Sequence, residues 1–480
     1  MAAAAKVSSC GQEGLAERPE FRLPPKGKGF VLVLFLTATW HWFDAARFQL
    51  RRRATIALQF KSSMINKFFD HCLSAVCRII CTLPALALLC ASGVAFAEIS
   101  DGEIRVGLLV DMKSTYAHIS GQGSVVAAQM AIEDAGGSIN GKPIRLLHED
   151  HANSSDKVAR VAREWLYEMG VDVIADVASS PLALVVQEVT RPKGAVIFYN
   201  GVMTTEITGS RCAPTGIHWM YDGHAFNTVI GGELTRSGSK SWYFVTVDNA
   251  FGANVETSLA AIVRSNGGVI LGGVRHTLGE QDMFAKLRQA SESGAQVIAL
   301  VNAGQDMIRS VRESFDLLRV SKGEVILAAV ATALNDVHLM KPQLAQGLRL
   351  SHSFYWNMDT ESRAWSKRFF ERTGAMPSDL QAGVYSSLTH YFKAVKASNS
   401  DHGITVVKKM REIPISDPIV RNAKLREDGR MIHDIYLLRV KTPAEVKEPW
   451  DYLAIVRSVP GERAFRPMAE GGCPLVAGRN

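Results

Sequence analysis

Four consecutive residues, His148-Glu149-Asp150-His151, carry the side chains from which metal sites are made. Zinc takes imidazole nitrogens and carboxylate oxygens, but it takes them converging from several points of a chain. These four close a strand-like run in which alternate side chains point to opposite faces, and the sequence offers no matching ligand set elsewhere. They read as a solvated polar strand end, and no metal is expected. The chain holds no Gly-x-Gly-x-x-Gly after a strand and no phosphate-loop lysine. It holds no Gly-x-Ser-x-Gly elbow either. Neither a cofactor nor enzymatic activity is expected.

What does recur is a small polar cluster after each apolar run. Asp111 to Tyr116 follow the first, Ser179-Ser180-Pro181 the second, and Asn200-Gly201-Val202-Met203-Thr204-Thr205 the third. Further on come Asp248-Asn249-Ala250-Phe251-Gly252, then Asn302-Ala303-Gly304-Gln305-Asp306, then Thr332. Hydroxyls, amides and glycines at helix starts suit the binding of an anion, because the first N–H groups of a helix lack partners and its dipole is positive there. Ser180 before Pro181 reads as a helix N-cap with proline at the first helical position. Taken one at a time, each cluster is explained as well by capping alone. Their recurrence is what points to a site.

The elements that must position these clusters alternate. Apolar runs fall at 106–110, 173–177, 195–199, 242–247, 269–274, 297–301 and 325–330. Each is short and nearly uninterrupted, as in strands covered on both faces. Helix-length stretches lie between them, at 124–135, 155–169, 181–191, 254–265 and 306–318. Such alternation predicts doubly wound parallel sheets, whose ligands bind beyond the carboxyl ends of the strands. The runs form two groups, separated by an irregular stretch at 208–222. Beyond Gly347 the pattern loosens into helices at 360–374 and 381–397 and a closing strand pair at 435–440 and 452–456.

The 480 residues carry a formal charge of +7, but residues 1–97 alone hold 12 Lys and Arg against 5 Asp and Glu. The remainder has 42 of each sign, so nothing in its charge suggests nucleic acid. Five of the seven cysteines also precede Glu98, leaving Cys212 and Cys473, which could form one disulfide or remain free thiols. Residues 64–97 have the three parts of a secretory signal peptide: Lys67 and Arg78, an apolar centre from Ile79 to Val94, and Ala95-Phe96-Ala97 as the cleavage site. Residues 1–63 fit no part of that plan. They are expected to be a start-site extension or disordered leader, with translation starting at Met64. The protein is expected to be periplasmic, exported and cleaved after Ala97.

From Ile104 onward the chain resembles the periplasmic leucine/isoleucine/valine-binding protein family, the substrate-binding subunits of ABC importers. The resemblance rests on IRVGLLVDM from Ile104, GQGSVVAAQMAIEDAGG from Gly121 and INGKPIRLLHED from Ile139. It continues through VDVIADVASSPLALVVQEV, NGVMTTEITG, VDNAFGANV and VIALVNAGQDM, then HSFYWNMDTESRAWSKRFFERTG and QAGVYSSLTHYFKAV. It implies an α/β fold of two Rossmann-like lobes with parallel sheets, the type I periplasmic binding protein, joined by three crossover strands. One lobe would combine 100–222 with 351–432, the other 223–350 with 433–475. Ligand would bind between them and favour closure, and the closed form would dock on a membrane permease with its ATPase subunits. A monomer is expected.

The same resemblance puts Ser179 and Ser180 in the turn that holds a ligand carboxylate, and Gly201 and Met203 in a second carboxylate loop. Met203 stands where branched amino-acid binders resemble Thr, Phe251 where they often have Tyr, and Asp306 near the acidic residue that holds the ligand ammonium. Tyr116, Asn200, Thr204, Tyr221 and Asn302 complete the expected ligand-binding set. Tyr199 and Phe354-Tyr355-Trp356 add aromatic character near the cleft, whereas Trp219 and Trp356 read rather as core. A pocket rich in rings with few polar anchors suits flat apolar ligands, and the wording of YWNMDTESRAWSKRF and NAGQDM looks most like a branch that binds aromatic carboxylates. The expected ligand is a small organic carboxylate, an aromatic acid or an amino acid. A ligand-binding sensor with a separate signalling partner is the alternative, and an enzyme a more distant one.

Overall fold

A computed structural model describes residues 99–318 and 323–476. The expected signal peptide at 64–97 and the extension at 1–63 lie outside the described residues.

Fifteen strands form two large sheets and a small ribbon. The first sheet is built from β1 (Ile104–Val110), β2 (Ser138–Ile139), β3 (Lys142–Asp150), β4 (Val173–Asp176), β5 (Val196–Tyr199) and β6 (Gly216–His218). Its spatial order is β2-β3-β1-β4-β5-β6, parallel throughout except for the β2–β3 hairpin. The second contains β7 (Ser241–Val247), β8 (Val269–His276), β9 (Val297–Val301), β10 (Ile326–Ala329) and β11 (Arg349–His352). After the ribbon of β12 (Lys424–Leu425) and β13 (Met431–Ile432), β14 (Ile435–Val440) and β15 (Leu453–Val459) complete it in the order β15-β14-β11-β10-β9-β7-β8. β7 to β11 run parallel, and β14 and β15 are antiparallel additions at one edge. β6 falls inside the stretch that the sequence showed as irregular. Three residues between turns carry too little periodicity to announce a strand. Ser351 and His352 end β11 in the second sheet, rather than opening the later part of the first lobe.

Both faces of the central strands are buried, whereas the edge strands β8 and β15 are largely exposed. In the first sheet Val106, Leu108, Val110, Val173, Ala175, Val196 and Phe198 join the core on one face, under helices Gly121–Asp134 and Asp379–Ser398. Leu109, Ile174, Ile197 and Tyr199 face the other way, toward helices Ser155–Tyr167 and Ser180–Lys193. This is the period of two that a doubly covered strand imposes. Gly107 is glycine because Trp165 lies on the strand: a Cβ there would stand 2.5 Å from the indole. The second sheet packs a separate core of Trp242, Phe244, Val297 and Ala299 against Leu259 and Val263 of helix Ala250–Ser265.

The chain passes between the two sheets three times, after β6, after β11 and between β13 and β14. Around the first and third passages a buried cluster joins the connections. Arg430 donates to the carbonyls of Trp219 and Met220, at 2.9 and 2.6 Å, and approaches Asp222. His433 Nε2 lies 2.7 Å from the Met220 carbonyl. Cys212 and Cys473 form a disulfide with their Cα atoms 5.6 Å apart, tying the C-terminal segment to the loop after β5. No helix of the described residues is long and apolar enough to cross a membrane.

Candidate functional site

A cavity of about 470 Å³ opens between the carboxyl ends of the two sheets. The loop after β1 supplies Thr115, Tyr116, His118 and Ile119, and the segment after β4 supplies Ala178 to Leu182. Gly201 and Met203 follow β5, Tyr221 and Phe226 follow β6, and Phe251 follows β7. Ala303 and Gly304 follow β9, while Ala331 to Ala333 and Asp336 follow β10. Ser378, Asp379 and Leu380 enter from the head of the long helix Asp379–Ser398.

Of the expected ligand-binding residues, Tyr116, Ser179, Ser180, Gly201, Met203, Tyr221 and Phe251 line this cavity. Asn200, Thr204, Asn302 and Asp306 do not. Asn302 is buried, its amide nitrogen 3.1 Å from both His276 Nε2 and Ser310 Oγ. Asp306 accepts from the backbone N–H of Gly279 at 3.0 Å and pairs with Arg309 at 3.5 Å, so it holds the second sheet's loops together outside the cavity lining. Asn200 is fully buried beside Gly201, with no protein partner for either polar atom. Thr204 serves through its backbone N–H, which donates to Ser180 Oγ. Tyr199, Phe354, Tyr355 and Trp356 are buried in the cores and leave the cavity to other rings. Trp219 and Trp356 are wholly buried core residues.

The helix at the centre of the site starts at Ser180, so its N-cap is Ser179, one residue earlier than its sequence suggests. Neither serine caps with its side chain. Ser180 Oγ is drawn instead to the loop after β5, where it accepts from the N–H groups of Met203 and Thr204 at 3.2 and 3.3 Å. A hydroxyl that accepts twice keeps its proton to donate. In the first turn of this 14-residue helix the N–H groups of Ser180 and Leu182 therefore have no capping side chain, Pro181 carrying none, and these residues line the cavity beside two serine hydroxyls. Just upstream, Asp176 and Val177 take φ of 77° and 55°. That left-handed region is unfavourable for a β-branched residue, and such strain is usually held at functional turns. Gly201 lets Leu380 close the floor, since a Cβ there would lie 2.4 Å from the leucine side chain.

Aromatic walls complete the cavity. Tyr221 stacks on Phe226 with ring centroids 4.4 Å apart, and Tyr116 and Phe251 stand nearby in the lining. Burial and the Asp111 carboxylate push the Tyr116 hydroxyl up. Burial and the surrounding carboxylates, Asp379 first, push Tyr221 well above its ordinary value. Both phenols stay protonated and can donate. Asp111 shapes the β1 loop by accepting from the backbone of Lys113, Ser114 and Tyr116. Burial pushes its carboxyl up, but these bonds and the Ser114 hydroxyl hold it below its ordinary value.

Two carboxylates line the cavity, and both are engaged. Asp379 accepts from His352 Nδ1, from Ser353 N and Oγ, and from Phe354 N, all within 2.9 Å. Asp336 accepts from Ala333 N at 2.8 Å and from His118 Nε2 at 2.7 Å. Among the described residues, neither Lys nor Arg lines the cavity. Asp379 is thus saturated and Asp336 is shared with His118, while groups able to meet an anion are helix N–H groups, hydroxyls and the His118 imidazole.

His118, Phe226, Thr332, Asp336, Ser378, Asp379 and Leu380 were not in the expected set. Thr332 was visible as a polar residue closing β10. His118 lies two residues past the polar cluster that ends at Tyr116, and residues 378–380 reach the cavity only through the return of a helix distant in sequence.

With this geometry in place, the chain can be set beside known proteins. Residues 103–445 match the periplasmic binding protein family. A periplasmic binding protein from Burkholderia mallei shares 39% identity over 78% of this chain and 99% of its own, with a TM-score of 0.72. A branched chain amino acid ABC transporter periplasmic ligand-binding protein from Burkholderia xenovorans shares 34%, over 78% and 100% of the two chains, with a TM-score of 0.74. A solute binding protein of an ABC transporter from Rhodopseudomonas palustris, in complex with 3,4-dihydroxybenzoic acid, has the same fold at 19% identity, 75% and 98% coverage and a TM-score of 0.64. No curated protein matches the chain significantly. The chain belongs to the periplasmic binding protein family, whose members here are solute-binding proteins of ABC transporters and not enzymes.

Proposed function

We propose that the protein is the periplasmic solute-binding subunit of an ABC importer and that its ligand is a small carboxylate without an ammonium group, an aromatic acid above all. One observation carries the choice: the cavity offers an uncapped helix start to an anion, while both of its carboxylates are already engaged. Asp379 already accepts four bonds, and at Asp336 an amino-acid ammonium would have to share the carboxylate with His118 and Ala333. The ligand carboxylate would sit at Ser179, Ser180 and the helix N–H groups, with its ring among Tyr116, Tyr221, Phe226 and Phe251. Rings in an apolar cavity gain from area burial and from edge and stacking contacts.

In this reading the lobes are 100–222 with 353–432 and 223–352 with 433–475, Ser351 and His352 staying with β11, and they close on ligand by hinge motion at the three passages. The closed form would dock on a permease carrying ATPase subunits, and a signal peptide cleaved after Ala97 would export the chain. Calorimetry with 3-phenylpropanoate and phenylalanine tests the ligand class, because the two differ only by the ammonium. Benzoate and leucine extend the comparison. Binding of the acids without the amino acids is expected; tight leucine binding with no aromatic acid bound would overturn the reading.

A further inference from the structure

One contact joins the two sheets' loops through ionisable side chains facing the cavity. His118 stands in the loop after β1, and Asp336 in the helix Leu334–Met340 after β10. The imidazole Nε2 lies 2.7 Å from Asp336 Oδ1. The Asp336 side chain is 7% exposed and that of His118 30%. The second carboxylate oxygen is fixed by the N–H of Ala333. A neutral bond crosses nearby, from Asn335 Nδ2 to the carbonyl of Met376 at 3.2 Å. Separating the sheets' loops would break both. Only the first would also change the affinity of a group for a proton.

We propose that His118 and Asp336 form a proton-dependent clasp across the cleft, a proton-binding site that closure creates, so that ligand capture takes up a proton. This rests on the reading that the lobes close on ligand. Burial alone would push the imidazole down, but Asp336, and behind it Asp111, more than reverse that and raise it. The other ionisable groups around the cavity do not oppose this. Asp379 is tied to His352, Asp176 lies behind the wall bonded to Ser120, and the phenols of Tyr116 and Tyr221 stay neutral. With no Lys or Arg in the lining, no fixed cation competes for Asp336.

The direction follows from linkage. A histidine raised in the closed form contributes stability to that form that is complete below its open-form pKa and lost as pH rises through its closed-form pKa. Affinity should therefore be greatest in mildly acidic medium and fall toward alkaline pH, by about two- to fivefold for a partly exposed pair. Proton uptake would be greatest between the two values.

Two measurements test this, and they separate it from the ligand reading. Histidine NMR titration of the benzoate-bound protein should place the His118 midpoint above that of the ligand-free protein, and above that of benzoate-bound Asp336→Asn. A midpoint unmoved by benzoate, or the same in both bound proteins, would overturn the clasp. Calorimetry with benzoate in phosphate and in Tris at pH 7.5 should show proton uptake that His118→Gln removes. No uptake in the native protein, or full uptake retained by His118→Gln, would overturn it too, the latter pointing to Asp176 as the source. If leucine binds and benzoate does not, the ligand reading falls while the same NMR and calorimetric comparisons made with leucine still decide the clasp.

Discussion

Arg430 and Asp222, 208 positions apart, meet at 3.4 Å where the chain first and last passes between the sheets. Both are almost fully buried, and the guanidinium also stacks on Phe465 at 4.3 Å. Burial lowers the Arg430 pKa to about 10, which leaves it charged at neutral pH. Burial would raise Asp222, but Arg430 first and other neighbours hold its carboxyl below its ordinary value. Arg430→Met removes the donor to Asp222 and to two carbonyls while leaving them buried. We expect a loss of about 3–5 kcal/mol in chemical denaturation. Arg430→Met with Asp222→Leu should recover part of it, because no lone charge is then buried.

Ser180 ties the helix start to the loop after β5. Ser180→Ala leaves the N–H groups of Met203 and Thr204 without their acceptor and removes a hydroxyl from the anion end of the cavity. Losing such a bond costs about 1–3 kcal/mol. Affinity for benzoate should fall by roughly tenfold or more, as read by calorimetry, while the circular dichroism spectrum stays native. Unchanged affinity would remove Ser180 from the site.

Phe251→Ala probes the opposite wall. Removing a ring that packs on a ligand ring loses area burial and about 0.5–1.5 kcal/mol of ring–ring interaction. Phenylpropanoate binding should weaken several-fold. A small aliphatic carboxylate such as propionate should be affected less, and equal losses for both would argue that Phe251 does not touch the ring.

Asp176 gives stability a pH dependence of unusual sign. Burial, first among its causes, pushes its carboxyl up to about 7, whereas an unfolded Asp ionises near 4. Between those values the folded state binds the extra proton, so this residue's contribution to stability falls as pH rises. Asp176→Asn keeps an oxygen to accept from Ser120, 2.8 Å away in the native protein. Its melting temperature should gain on the native protein's from pH 4.5 to 7.5. A constant difference between the two would contradict the assignment.

The disulfide joins residues 261 positions apart. Replacing Cys212 and Cys473 together by serine should cost about 2–4 kcal/mol, and dithiothreitol should lower the melting temperature of the native protein but not of the variant.

The parts of the fold that were legible in the sequence are those buried on both faces. β9 and β10 show as uninterrupted apolar runs, and β4 as one broken only by Asp176, because the side chains there meet other elements. β3 is absent from the apolar runs and shows only as the strand-like run that His148 to His151 close: it lies toward the edge of its sheet, and its partly exposed residues include Arg145, His148 and Glu149. His151, read there as part of a solvated strand end, is in fact buried and accepts from the N–H of Asn153. In the site, residues just past a strand were legible, since topology alone aims them at the cleft. Asn302 and Asp306 share that position, yet their side chains satisfy His276, Ser310, Gly279 and Arg309. No local signal reports such a partner. Leu380 and Asp379 were illegible because a helix head enters the cavity from the far end of the chain.

A cavity without Lys or Arg has a kinetic consequence. Fixed cations concentrate anions from a distance and make capture fast in dilute medium but slow in salt. Here the positive potential comes from peptide dipoles, which fade within a helical turn. The on-rate for a carboxylate should therefore be set by ordinary diffusional encounter and should change little with ionic strength. Such a receptor would scavenge equally well as the salinity around the cell varies.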